Sequence, residues 1–60
     1  MKKGDKVIVY QDPITCEKVE DRGEIVEVLR DLNERDINGR SLYRATVQFT
    51  DGPYFRIVSD

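Results

Sequence analysis

Tyr43-Arg44-Ala45-Thr46-Val47-Gln48-Phe49-Thr50-Asp51-Gly52-Pro53-Tyr54-Phe55-Arg56-Ile57-Val58 is the stretch on which the fold of this 60-residue chain turns. Tyr43, Ala45, Val47 and Phe49 alternate with Arg44, Thr46, Gln48 and Thr50, the period of a half-buried strand. Asp51-Gly52-Pro53 supplies turn residues, and Tyr54 to Val58 reads as the returning strand. Two registers compete. A two-residue turn at Asp51-Gly52 sets Phe49 opposite Tyr54 and Val47 opposite Arg56, bringing an arginine onto the core face. A three-residue loop, Asp51-Gly52-Pro53, sets Phe49 opposite Phe55 and Val47 opposite Ile57. Burial selects register, because a slip of one residue exchanges the faces, and three-residue loops with a glycine are common in hairpins. The second register is therefore expected. Its outward face carries Arg44, Thr46, Gln48, Thr50, Tyr54, Arg56 and Val58.

Upstream, Asn38-Gly39 is a strong turn signal. Before it, Gly23-Glu24-Ile25-Val26-Glu27-Val28-Leu29-Arg30 fits two templates. Ile25, Val28, Leu29 and Leu32 have the spacing of an amphipathic helix, whereas Val26 and Val28 alternate against Ile25, Glu27 and Leu29 as in a strand. Three β-branched residues in a row of five, with no Ser or Thr cap, favour the strand. Asp5-Lys6-Val7-Ile8-Val9-Tyr10 is a further strand bounded by Gly4 and Asp12-Pro13. Gln11 to Arg22, polar and charged, is expected to be a long loop. The predicted core is Val7, Val9, Val26, Val28, Val47, Phe49, Phe55 and Ile57.

Charged residues make up 37% of the chain, against roughly 25% in an average domain. That density favours disorder, but the β-branched and aromatic residues are gathered into segments, which favours one small folded domain over residues 1–60. Ten Lys and Arg against twelve Asp and Glu leave a net charge of −2, which disfavours nucleic acid as the partner. The longest apolar run, Val7 to Tyr10, falls far short of the roughly 20 residues of a membrane helix or the apolar core of a signal peptide. A cytoplasmic protein with no membrane association is expected.

Histidine is absent, which removes Ser-His-Asp and Cys-His mechanisms, and Cys16 is the only cysteine, so no internal disulfide forms. Asp31-Leu32-Asn33-Glu34-Arg35-Asp36 lacks the alternating acids and turn glycine of a calcium loop. No catalytic residue, metal ligand or cofactor is therefore assigned.

Gly4-Asp5-Lys6-Val7-Ile8-Val9, a loop, then Gly23-Glu24-Ile25-Val26-Glu27-Val28 resembles the opening of a KOW-type module among the SH3-like small barrels, which also include SH3 and Tudor domains. The chain is also similar to short proteins of this type carried by bacteria and their phages. The resemblance implies an all-β, SH3-like small barrel of four to five antiparallel strands with a long first loop. The chain departs from the family at the tryptophan of peptide-binding SH3 grooves, which it lacks, and at the Gln11–Arg22 loop, which has no glycine and a surplus of acid.

The function expected is a non-catalytic binding module that contacts another protein through the outer face of the 40–58 hairpin, as a monomer or weak dimer. Arg44, Gln48, Tyr54 and Arg56 are the candidate binding residues on that face, and Tyr10 is the candidate wall of a groove. The alternative is a nucleic-acid-associated module of KOW or Tudor type.

Overall fold

Turn residues divide the chain into four segments, each paired with its neighbours along the chain, and the result is a meander. The computed structural model describes residues 1–60. It contains β1 (Lys6–Asp12), β2 (Glu17–Arg35), β3 (Ser41–Phe49) and β4 (Gly52–Ser59), antiparallel in one sheet of order β1-β2-β3-β4, with no helix. The sheet curls until β1 lies against β4, although the two share no ladder.

The strand reading of residues 24–30 holds, but they are the middle of a strand of 19 residues. β2 pairs with β1 through its first half and with β3 through its second, and Glu24 belongs to both ladders, opposite Lys6 and Gln48. The long first loop expected at 11–22 is instead a hairpin. Asp12 makes the reversal tight: its carboxylate accepts the N–H groups of Ile14 and Thr15 at 3.0 and 3.2 Å, and Cys16 N–H donates to its carbonyl at 2.9 Å. This hairpin escapes a hydropathy reading because Glu17 to Arg22 are all exposed, so backbone pairing and not burial makes them a strand.

The β3–β4 register differs from the expected one. Phe49 stands opposite Gly52, Val47 opposite Tyr54, Ala45 opposite Arg56 and Tyr43 opposite Val58, around a turn at Thr50-Asp51. Tyr54, Arg56 and Val58 consequently share the core face, while Phe55 and Ile57 point outward. The physical reason lies in two accommodations. Ala45 has no side chain beyond Cβ, which leaves room for the stem of Arg56 across from it. The guanidinium is then neutralised at the rim of the core, as described below.

The buried cluster comprises Val9, Ile25, Ala45, Val47, Phe49 and Val58, with Met1, Val7 and Val28 packed partly against it. Val26, Phe55 and Ile57, expected inside, are exposed. Bulges on β2 account for Val26. The pairing slips between Ile25 and Glu27 and again between Val28 and Arg30. Each slip adds a residue, so Ile25 and Val28 both meet buried partners, Val47 and Ala45. The second reversal, Asp36 to Arg40, is held by the buried Asp36 carboxylate, which accepts N–H groups from Asn38 and Arg40, each at 2.9 Å. Gly39 adopts φ +79°, as the Asn38-Gly39 signal implies.

Candidate binding surface

The register sorts the candidate residues onto different surfaces. Arg44 and Gln48 are exposed on the outer face. Their neighbours there are Thr46 and, across on β4, Phe55 and Ile57. Phe55 is 63% exposed and Ile57 39%. One strand further in, Glu27 stands opposite Thr46 and Arg30 opposite Arg44. Gln48 is anchored by its own side chain, which donates to the Phe49 carbonyl at 2.9 Å. Phe55, Ile57 and Arg30 were not among the residues predicted for binding, because the expected register turned the first two inward.

Tyr54 and Arg56 lie on the opposite face, and Arg56 serves the fold. Its Nε donates to Glu20 at 3.0 and 3.2 Å, its Nη2 to the same carboxylate at 2.8 Å, and its Nη1 to the Phe55 carbonyl at 2.8 Å. The guanidinium also stands 5.6 Å from the Phe49 ring centre and 5.5 Å from that of Tyr54, within cation–π range. Glu20 is available for this because it is the unpaired residue of the β1–β2 bulge: Asp21 pairs with Val9 and Val19 with Tyr10, leaving Glu20 without a partner in the ladder. Bulges re-aim side chains. Here one turns a carboxylate from β2 across to β4.

Arg56 holds the Glu20 carboxyl below its ordinary value of 4.5, chiefly by hydrogen bonding. A lowered folded-state pKa means that the pair contributes stability above the ordinary carboxylate range and loses it as pH falls through the folded value. Glu20→Gln keeps the shape and removes the charge. Both partners are about a third exposed, and solvent screening limits the cost to roughly 0.5–1 kcal/mol at neutral pH. The variant is expected to lose less stability than the parent between neutral pH and about pH 3 in urea titrations; identical acid limbs would contradict the assignment.

Tyr10 is half-buried and lines a different feature, an open groove of about 360 Å³ between β1 and the end of β4, with Val7, Arg40 and Ser59. A larger groove of about 600 Å³ runs over the β1–β2 ladder, between Lys6, Ile8, Arg22, Glu24 and Gln48. Lys6 is paired there with Glu24 at 3.4 Å. The five candidates therefore occupy three places, of which the outer face carries the most exposed aromatic side chain, Phe55, near two unpaired arginines. Neither a family model, nor a curated protein, nor a solved structure matches this chain.

Proposed function

We propose that the chain is a non-catalytic protein-binding module whose contact surface is the outer face of β3 and β4. The observation that carries this reading is Phe55, a large aromatic residue 63% exposed on a strand, with Ile57 beside it and Arg44, Thr46 and Gln48 on the next strand. Aromatic residues and arginine are enriched where proteins bind one another, and a side chain set on a paired strand loses little freedom on binding. The curl that brings β1 against β4, and the Glu20–Arg56 pair that spans it, support reading the meander as an SH3-like barrel. The barrel leaves this face convex and open.

Phe55→Ala tests the surface. Its exposure predicts a stability change within about 0.5 kcal/mol, with loss of the amide shift changes that a binding partner induces at Thr46, Phe55 and Ile57. Shift changes confined to the groove beside Tyr10, or undiminished in the variant, would move the site elsewhere.

A second reading, binding to single-stranded nucleic acid, is favoured by one observation: an exposed phenylalanine on a sheet beside two arginines is the arrangement on which bases stack. Retardation of labelled single-stranded RNA at about 50 mM salt, abolished by Phe55→Ala, would select it.

A further inference from the structure

Arg30 and Arg44 are directly opposite each other on β2 and β3, with Ile57 next to Arg44 on β4. Side chains so placed have Cβ atoms about 5 Å apart, and like charges in that position repel. Neither arginine side chain has a carboxylate within ion-pair distance or makes a hydrogen bond. Of the basic side chains on the strands only Lys6 and Arg56 form ion pairs; Lys18, Arg22 and Arg35 form none, and what sets Arg30 and Arg44 apart is that they face each other. Lys6 holds Glu24 across the β1–β2 ladder, and Arg56 holds Glu20 across the curl. Glu27 sits in a nearby row opposite Thr46 and Asp31 follows Arg30 in the chain, and neither makes an ion pair with the two arginines. Two uncompensated positive charges thus lie near Phe55 and Ile57, the exposed apolar side chains that β4 presents on this face.

We propose, resting on the protein-binding reading above, that this face docks an acidic polypeptide segment carrying an aliphatic or aromatic side chain. Carboxylates settle between Arg30 and Arg44, and the apolar residue lies against Phe55 and Ile57. A carboxylate shared by two guanidiniums removes their mutual repulsion as well as gaining charge-assisted hydrogen bonds. A basic segment meets repulsion instead, so the pair discriminates by sign as well as by attraction. Nucleic acid fits less well. Affinity for a phosphate chain grows with the number of phosphates neutralised, only two free arginines stand here, the whole chain carries −2, and Ile57 offers a base no ring to stack on.

The test uses synthetic probes against the isotope-labelled full chain: a peptide of about twelve residues made of Glu-Glu-Leu repeats, its Lys-Lys-Leu counterpart, and an oligothymidylate of similar length. The Glu-Glu-Leu peptide is expected to shift the amides of Arg30, Arg44, Phe55 and Ile57. Its affinity should fall about tenfold or more in the Arg30→Gln/Arg44→Gln double variant, and comparably on raising salt from about 50 to about 500 mM. The Lys-Lys-Leu peptide should leave these amides unmoved. Equal binding of the two peptides, or an unchanged affinity in the double variant, overturns the preference for acid. If Phe55→Ala still abolishes binding in that case, the protein-binding face survives without the charge rule. If Phe55→Ala has no effect, the face itself is wrong. Tighter binding of the oligothymidylate than of the acidic peptide assigns the face to nucleic acid and overturns the proposal.

Discussion

Ile25→Ala is expected to remove about half of the protein's stability. Ile25 is fully buried and stands where β2 changes partner, opposite Val47. Its backbone is a clasp as well: its N–H donates to the Asp5 carbonyl and its own carbonyl accepts Gly4 N–H, both at 2.8 Å. Removing a buried Ile side chain to Cβ costs about 2–5 kcal/mol, through lost burial and the cavity left behind. A domain of this size holds only about 3–9 kcal/mol in total. The sheet has one small buried cluster and no second layer to close over the hole. Ile25→Val removes a single methyl and should cost about 1 kcal/mol. Circular dichroism during urea titration measures both, and an Ile25→Ala midpoint near that of the parent would refute this account of the core.

Gly23→Ala is expected to lower stability by about 1–3 kcal/mol, the range for overfilling a packed interior. At this size that corresponds to a melting temperature lower by roughly 5–20 °C. The φ angle of Gly23 is not among the positive ones, so conformational freedom is not the reason. Space is. A Cβ on Gly23 would overlap the Val47 side chain and come within 2.8 Å of the Gln48 carbonyl oxygen. Val47→Ala should cost less in the Gly23→Ala background than in the parent, because there it also relieves the overlap with the new Cβ, although the carbonyl stays in place. Gly23→Ala melting like the parent would mean that β2 and β3 can separate there at little cost.

Both positions show what the sequence does and does not disclose. The alternation of Tyr43 to Phe49 identified β3 and its buried face, since Ala45, Val47 and Phe49 are all in the core. The Asn38-Gly39 reversal was equally legible. Gly23 looked like the opening of a strand, yet it is an interior glycine that lets two backbones approach. The helix-like spacing of Ile25 and Val28 was real, but its cause is the bulge at Val26, which gives a strand a local period of three. A period-two reading therefore placed Val26 inside and left Ile25 out.

The register of the last hairpin differs from the one that hydropathy favours for a related reason. An arginine on the core face appeared prohibitive because its neutralising partner, Glu20, lies 36 residues away and is turned toward it only by another bulge. Pairwise burial rules along one hairpin contain no information about that carboxylate. The candidate surface inherited the error: Arg44 and Gln48 were placed correctly, whereas Tyr54 and Arg56 exchanged sides with Phe55 and Ile57.

The spatial order of the strands repeats their order along the chain. No segment must thread past another or wait for a partner not yet made, so assembly can proceed by zipping three successive reversals, each a local event on the microsecond scale. What cannot be zipped is the approach of the first strand to the last, which joins residues at opposite ends of the sequence and carries the largest loop-closure cost. The slow step in folding this molecule is thus expected to be the rolling up of a finished ribbon, with the grip of Arg56 on Glu20 among the last contacts to form.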